Sequence, residues 1–226
     1  KRFLDKIDLV DCSFCTTSPD AINLPSNKKI YYMPNPADES FENLSVFNNK
    51  NYNNDVFFAM SHGVHRGILK KGKFDKREIF INKLIKITPN IKFDVYGMNK
   101  MQPIWADNYI RMISQSKMGL NISQGLPIKY YSSDRVTQLI GNGLLTFIDT
   151  KTSLNNFFSD DEVVFYKSIN DLSEKIIKYS SNDKERIRIA RNGKKKYLKH
   201  FNSTKFADFI ISKTFEIKNK KFFWEK

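Results

Sequence analysis

The stretch richest in chemistry is Tyr130-Tyr131-Ser132-Ser133-Asp134-Arg135, which gathers phenols, hydroxyls, a carboxylate and a guanidinium. An amphipathic run follows, with Val136, Leu139 and Ile140 on one stripe and Asp134 and Gln138 a turn apart on another. The spacing predicts a helix that begins at Ser132 or Ser133 and ends at Asn142-Gly143. The first turn of such a helix presents free N–H groups and the positive end of the dipole, which suits a phosphate. Arg135 can add a bidentate contact to an anion, and Asp134 and Gln138 can reach ribose or sugar hydroxyls. An ordinary serine-capped helix accounts for the same residues equally well.

A second cluster, His62, Gly63, His65, Arg66, Gly67, Lys70 and Lys71, follows the apolar run Val56 to Met60. Glycine lets a backbone approach a ligand closely, and the cations can neutralise phosphate oxygens. The spacing matches no Walker loop and contains no G-x-G-x-x-G, so ATPase and dinucleotide motifs are unsupported. A solvated basic loop is the alternative. The only cysteines, Cys12 and Cys15, could complete a zinc site only with His62 and His65. They read instead as reduced thiols at the end of a strand.

These groups need a frame. From Asp55 onward short apolar runs alternate with amphipathic ones. Val56–Met60, Ile91–Tyr96, Met118–Ile122, Leu144–Ile148 and Val163–Tyr166 read as strands. Asp75–Thr88 reads as a helix with Ile79, Phe80, Leu84 and Ile87 on one stripe. Further helices are expected over 108–116, 153–158, 169–180, 183–199 and 204–215. Strands apolar on both faces, separated by helices, predict an α/β fold: a doubly wound, Rossmann-like parallel sheet. In such sheets ligands bind at the carboxyl ends of the strands, where strand order reverses. Residues 1–45 read differently, as the tail of a preceding domain. Ile7–Cys15 and Lys29–Met33 are strand-like, and Pro34 and Pro36 make Met33–Asp38 an extended linker. The expected division is 1–45 and 46–226.

The 226 residues are 40% hydrophobic and 14% aromatic, which places the chain among globular proteins. A formal net charge of +14 favours anionic partners without choosing among them. No apolar stretch approaches the roughly 18–20 residues of a membrane span, and no signal peptide is visible, so cytoplasmic residence is expected. The opening at Lys1 suggests an excised fragment.

The runs Ser116–Ser123 and Tyr131–Thr146, with the order of Phe157-Phe158, Glu162 to Tyr166, Arg186 to Ala190, Gly193 and His200-Phe201 after them, resemble the donor-binding domain of GT-B glycosyltransferases. The resemblance is to the group 1 branch that includes CgeB-like proteins of bacterial surface-polysaccharide loci, over roughly residues 55–215. It implies two Rossmann-like domains with the active site between them. A nucleotide-sugar donor would rest on this C-terminal domain, and a glycan or lipid-linked acceptor would come from the other. No metal or cofactor is expected, and the catalytic base is expected on the acceptor half. Residue by residue, it implies His62, Gly63, Arg66, Lys71, Tyr131, Ser132, Ser133, Asp134, Arg135 and Gln138 as the donor site, and Arg135→Ala should weaken diphosphate binding with the fold intact. Two positions depart from the family: Gln138 and Tyr130 stand where many members carry glutamate.

Two rivals stand beside this reading: a basic nucleic-acid-binding module, for which no motif is found, and an inactive scaffold of the same fold. The tail Lys220-Lys221-Phe222-Phe223-Trp224 suits an anionic membrane surface, at the inner face of the cytoplasmic membrane, or a terminus folded back on the protein.

Overall fold

The computed structural model describes residues 4–61, 64–65, 68–69 and 75–225. Its frame is a five-stranded parallel sheet formed by β3 (Asn54–Ala59), β6 (Phe93–Tyr96), β7 (Ser116–Asn121), β8 (Leu145–Asp149) and β9 (Val164–Tyr166). Their spatial order is β6-β3-β7-β8-β9. Strand order therefore reverses between β3 and β7, which makes that crevice the expected ligand position. Two smaller sheets accompany it: parallel β1 (Ser13–Cys15) and β2 (Ile30–Tyr32), and the antiparallel pair β4 (Val64–His65) and β5 (Ile68–Leu69).

Alternation along the strands divides the core in two. Val56, Phe58, Met118, Leu120, Leu145 and Phe147 pack with Ile81 and Leu84 of α1 (Lys76–Ile87) and with Leu172 and Ile176 of α4 (Ile169–Ser181). On the other face Phe57 and Ala59 meet Ile113 of α2 (Ala106–Ile113) and Leu139 of α3 (Asp134–Gly141). Gly119 makes the second contact possible, since a Cβ there would lie 2.6 Å from Leu139. Helices α5 (Asp183–His200) and α6 (Ser203–Thr214) complete the cover.

The strands fall where continuous apolar runs predict them. Three expectations are corrected. Ile7–Cys15 is not one strand: Leu4–Leu9 forms a 3-10 helix and only Ser13–Cys15 pairs, because Asp8 and Asp11 interrupt the apolar run. In α1 the buried stripe is Ile81 and Leu84, whereas Ile79 and Ile87 are 49% and 39% exposed. The helix expected over 153–158 is a pair of 3-10 turns, Thr150–Thr152 and Leu154–Asn156.

The first 45 residues are stitched to the rest of the chain. Phe14 and Tyr31 meet Phe209 of α6 at 5.6 and 6.2 Å. The linker passes the α5–α6 joint, where the Ala37 N–H donates to the Phe201 carbonyl and the Ser203 N–H to the Ala37 carbonyl. The aromatic tail also folds inward. Trp224 is 2% exposed and packs on Phe206 and Phe201 at 4.4 and 5.9 Å. Trp224 is thus buried, with Phe222 and Phe223 half-buried beside it, the folded-back arrangement that the burial of a large indole favours, while Lys220 and Lys221 stay exposed. No helix among the described residues is long and apolar enough to cross a membrane.

Candidate functional site

A cleft of about 650 Å³ opens at the switch in strand order. Its floor is the end of β3, Ala59-Met60-Ser61; one wall is the start of α3 with Ser133, Asp134, Arg135 and Gln138; the other is the start of α2, Pro103 to Ile110. Arg135 occupies the crevice itself. Its Nε donates to the Ala59 carbonyl and its Nη1 to the Ile122 carbonyl, each at 3.1 Å, so the guanidinium bridges the carboxyl ends of β3 and β7. The same group lies 5.2 Å from the centre of the Phe58 ring. A guanidinium has five N–H groups. Two are engaged here, which leaves three for a ligand among the described contacts. Burial holds the Arg135 pKa below its ordinary value, and neighbouring Arg77 acts the same way. An anion would relieve both strains.

The helix ends at the cleft are unlike the others. Helices α1, α4, α5 and α6 are capped by the side chains of Asp75, Ser168, Asn182 and Asn202. The cap positions of α2 and α3, Trp105 and Ser133, make no side-chain cap bond. Ser133 instead directs its hydroxyl to Asn121 Oδ1 at 3.2 Å. Both uncapped ends face the same cleft; in α3 the Val136 N–H donates to the Ser133 carbonyl at 2.9 Å, and the N–H groups of Asp134 and Arg135, without a partner among the described bonds, are left for a ligand.

The start of α3 is fixed by the N-terminal segment. The Ser132 N–H donates to the Thr16 carbonyl at 2.8 Å, and the Ser132 hydroxyl accepts from the Asn35 N–H at 3.1 Å. Asn35 Nδ2 donates to Asp134 Oδ1 at 2.9 Å. The Asn35 carbonyl accepts from Thr137 Oγ1 and from the buried Tyr197 hydroxyl, at 3.1 and 2.8 Å. One linker residue thus sets the position of the whole turn.

Of the residues predicted from sequence, Ser133, Asp134, Arg135 and Gln138 line the cleft together. Ser132 is 3% exposed and works as a backbone tether. Tyr131 is not among the lining residues. His62, Gly63, Arg66 and Lys71 lie outside the residues whose side chains are described. Tyr130, at one departure from the family, packs between Tyr32 and Phe157 at 5.2 and 4.8 Å, and its hydroxyl accepts from Asn156. Sequence reasoning missed Glu42, Trp105 and Tyr109. Glu42 is 8% exposed, lies against Gly141, and accepts from the Asp38 N–H at 2.8 Å; burial pushes its carboxyl pKa up.

A parallel sheet in the order 2-1-3-4-5, helices on both faces and a cleft at the reversal define a Rossmann-like domain of the GT-B type. The family model described as glycosyl transferase-like matches residues 76–212, and the chain belongs to that family. No curated protein matches it in sequence. Among solved structures it is similar to TarM of S. aureus, with a TM-score of 0.65 and 11% identity over 94% of this chain and 45% of that one. HepE of Anabaena, solved with UDP and glucose, gives 0.64 and 9% over 92% of this chain and 64% of that one. Sucrose-phosphate synthase from Thermosynechococcus elongatus gives 0.61 and 9% over 96% and 61%. At such identities the likeness is one of fold, and the chain spans about half to two thirds of the length of these proteins.

Proposed function

We propose that this chain is the donor-binding half of a glycosyltransferase that takes a nucleoside-diphosphate sugar, with its diphosphate at Arg135 and the start of α3. The observation that carries the reading is the guanidinium bridging β3 and β7 with donors to spare, beside a helix end that no side chain caps. In the transfer the bond from the anomeric carbon to the diphosphate breaks, and a bond to an acceptor hydroxyl forms. Fixed donors aimed at the departing diphosphate stabilise the charge that develops there, the role a metal plays in other transferases. Gln138 takes the ribose hydroxyls, which a neutral amide can do in place of glutamate.

The division at residue 45 is part of the same proposal, with residues 1–45 as the edge of an acceptor domain. So are the kinship with CgeB-like proteins, a surface-polysaccharide or lipopolysaccharide-type acceptor and action at the inner face of the cytoplasmic membrane. A thermal-shift screen against UDP-, GDP-, ADP-, CMP- and dTDP-sugars tests the donor claim. At least one should raise Tm in a concentration-dependent way, and a flat response to all of them would overturn it.

A further inference from the structure

The side chains on the α2 wall of the cleft carry chemistry of another kind from the guanidinium on the α3 wall. The sequence contains two tryptophans, in opposite situations. Trp224 is buried among rings. Trp105 is 49% exposed, lines the cleft, and has no aromatic or cationic partner among the described residues. One helical turn further on, Tyr109 faces the same cleft. Its ring is fixed edge-on against Phe57 at 5.2 Å, yet its hydroxyl makes no hydrogen bond among the described residues. That hydroxyl lies within the electrostatic reach of Arg135 and Asp134, and burial pushes its pKa up to about 12, so it is a donor at every physiological pH. Pro103 and Ile104 continue the wall with apolar surface.

The cleft therefore combines an open, flat apolar face at Trp105, a hydrogen-bond donor at Tyr109 one turn on and within electrostatic reach of Arg135, and the Arg135 guanidinium itself, with the carboxylates of Glu42, Asp107 and Asp134 on the same lining. A ligand that satisfies these groups carries a planar aromatic group for Trp105 and an anion for Arg135. We infer that Trp105 is the stacking platform for the nucleobase of the donor and that Tyr109 donates to the phosphate nearest the nucleoside. The inference rests on the proposed donor site and fixes which way round the donor lies in it. An indole face stacks on any base, so the platform supplies affinity for a nucleoside with little choice among bases.

Intrinsic fluorescence and calorimetry of the chain, titrated with UDP, with ADP and with inorganic pyrophosphate, test this. Both nucleotides should quench tryptophan emission, and pyrophosphate should bind without quenching. Trp105→Ala should weaken UDP and ADP by about tenfold while leaving pyrophosphate unchanged. Trp105→Phe should keep most of the affinity and lose the quench, since only buried Trp224 then emits. Undiminished nucleotide binding by Trp105→Ala, or a quench that persists in Trp105→Phe, overturns the stacking role. Pyrophosphate binding as tightly as the nucleotides overturns the base subsite alone. Failure of every ligand to bind overturns the donor site and this inference with it.

Discussion

Arg135→Ala separates what the structure assigns to this side chain from what the sequence alone suggests. From sequence the substitution should weaken ligand binding and leave the fold intact. In the structure the guanidinium also joins the carboxyl ends of β3 and β7 through two charge-assisted bonds and lies on the Phe58 ring. Each bond to a charged group contributes about 1.5–3 kcal/mol. Ala59 lines the open cleft and Ile122 a second, smaller pocket, so water can replace the guanidinium at both carbonyls and about 2–3 kcal/mol in total is expected. For a chain of this size that is a Tm loss of about 4–12 °C. A nucleoside diphosphate would lose one or two charge-assisted bonds besides, a drop in affinity of about ten- to a hundredfold or more. Arg135→Lys keeps the charge but presents a point donor that cannot span both carbonyls, so it should recover part of the affinity and little of the stability. Differential scanning calorimetry and ligand titration on the three proteins read the two effects independently. An unchanged Tm in Arg135→Ala would refute the bridge. An unchanged affinity would refute the anion site.

Gly97 has φ of +77°, and a Cβ there would lie 1.7 Å from the Met60 carbonyl oxygen, so Gly97→Ala must displace the end of β3 at the cleft floor. We expect a loss of about 3 kcal/mol, measured by denaturant unfolding; a change below about 1 kcal/mol would contradict the close approach. Glu42→Gln reports on the buried carboxylate. Its pKa is raised in the folded state by burial, so the stability it contributes is fully present below the unfolded pKa and is lost as pH rises through the folded one. The amide should therefore be at least as stable as wild type at pH 8, and the difference should shift in favour of wild type as pH falls through the carboxylate range. A gap independent of pH would show that Glu42 does not titrate as its burial requires.

The sheet was legible because its strands are short continuous apolar runs, which report burial on both faces directly. The start of α3 was legible for a similar reason: serines, an acid and a helical stripe occur in sequence order. What failed was information held by distant partners. Ser132 reads as a ligand residue in its local context, but Thr16 and Asn35, far away in the chain, fix its backbone and hydroxyl. Trp105 and Tyr109 carry no local pattern that marks a site. They reach Arg135 only because β6 and β7 flank β3, which brings the loop after β6 alongside the start of α3. The α1 stripe was misphased because six apolar residues within nine positions, 79–87, fit more than one helical face. Ile81, omitted from the expected stripe, is the one that faces the sheet.

The central claim is that a nucleoside diphosphate lies between the open ends of α2 and α3. Hydrogen exchange with and without a saturating nucleoside-diphosphate sugar tests it most directly, because the free first-turn N–H groups would become ligand donors. Slower exchange should be concentrated over residues 104–108 and 133–135, with the buried strands unchanged. Protection confined to other segments, with those two turns exchanging as before, would contradict it.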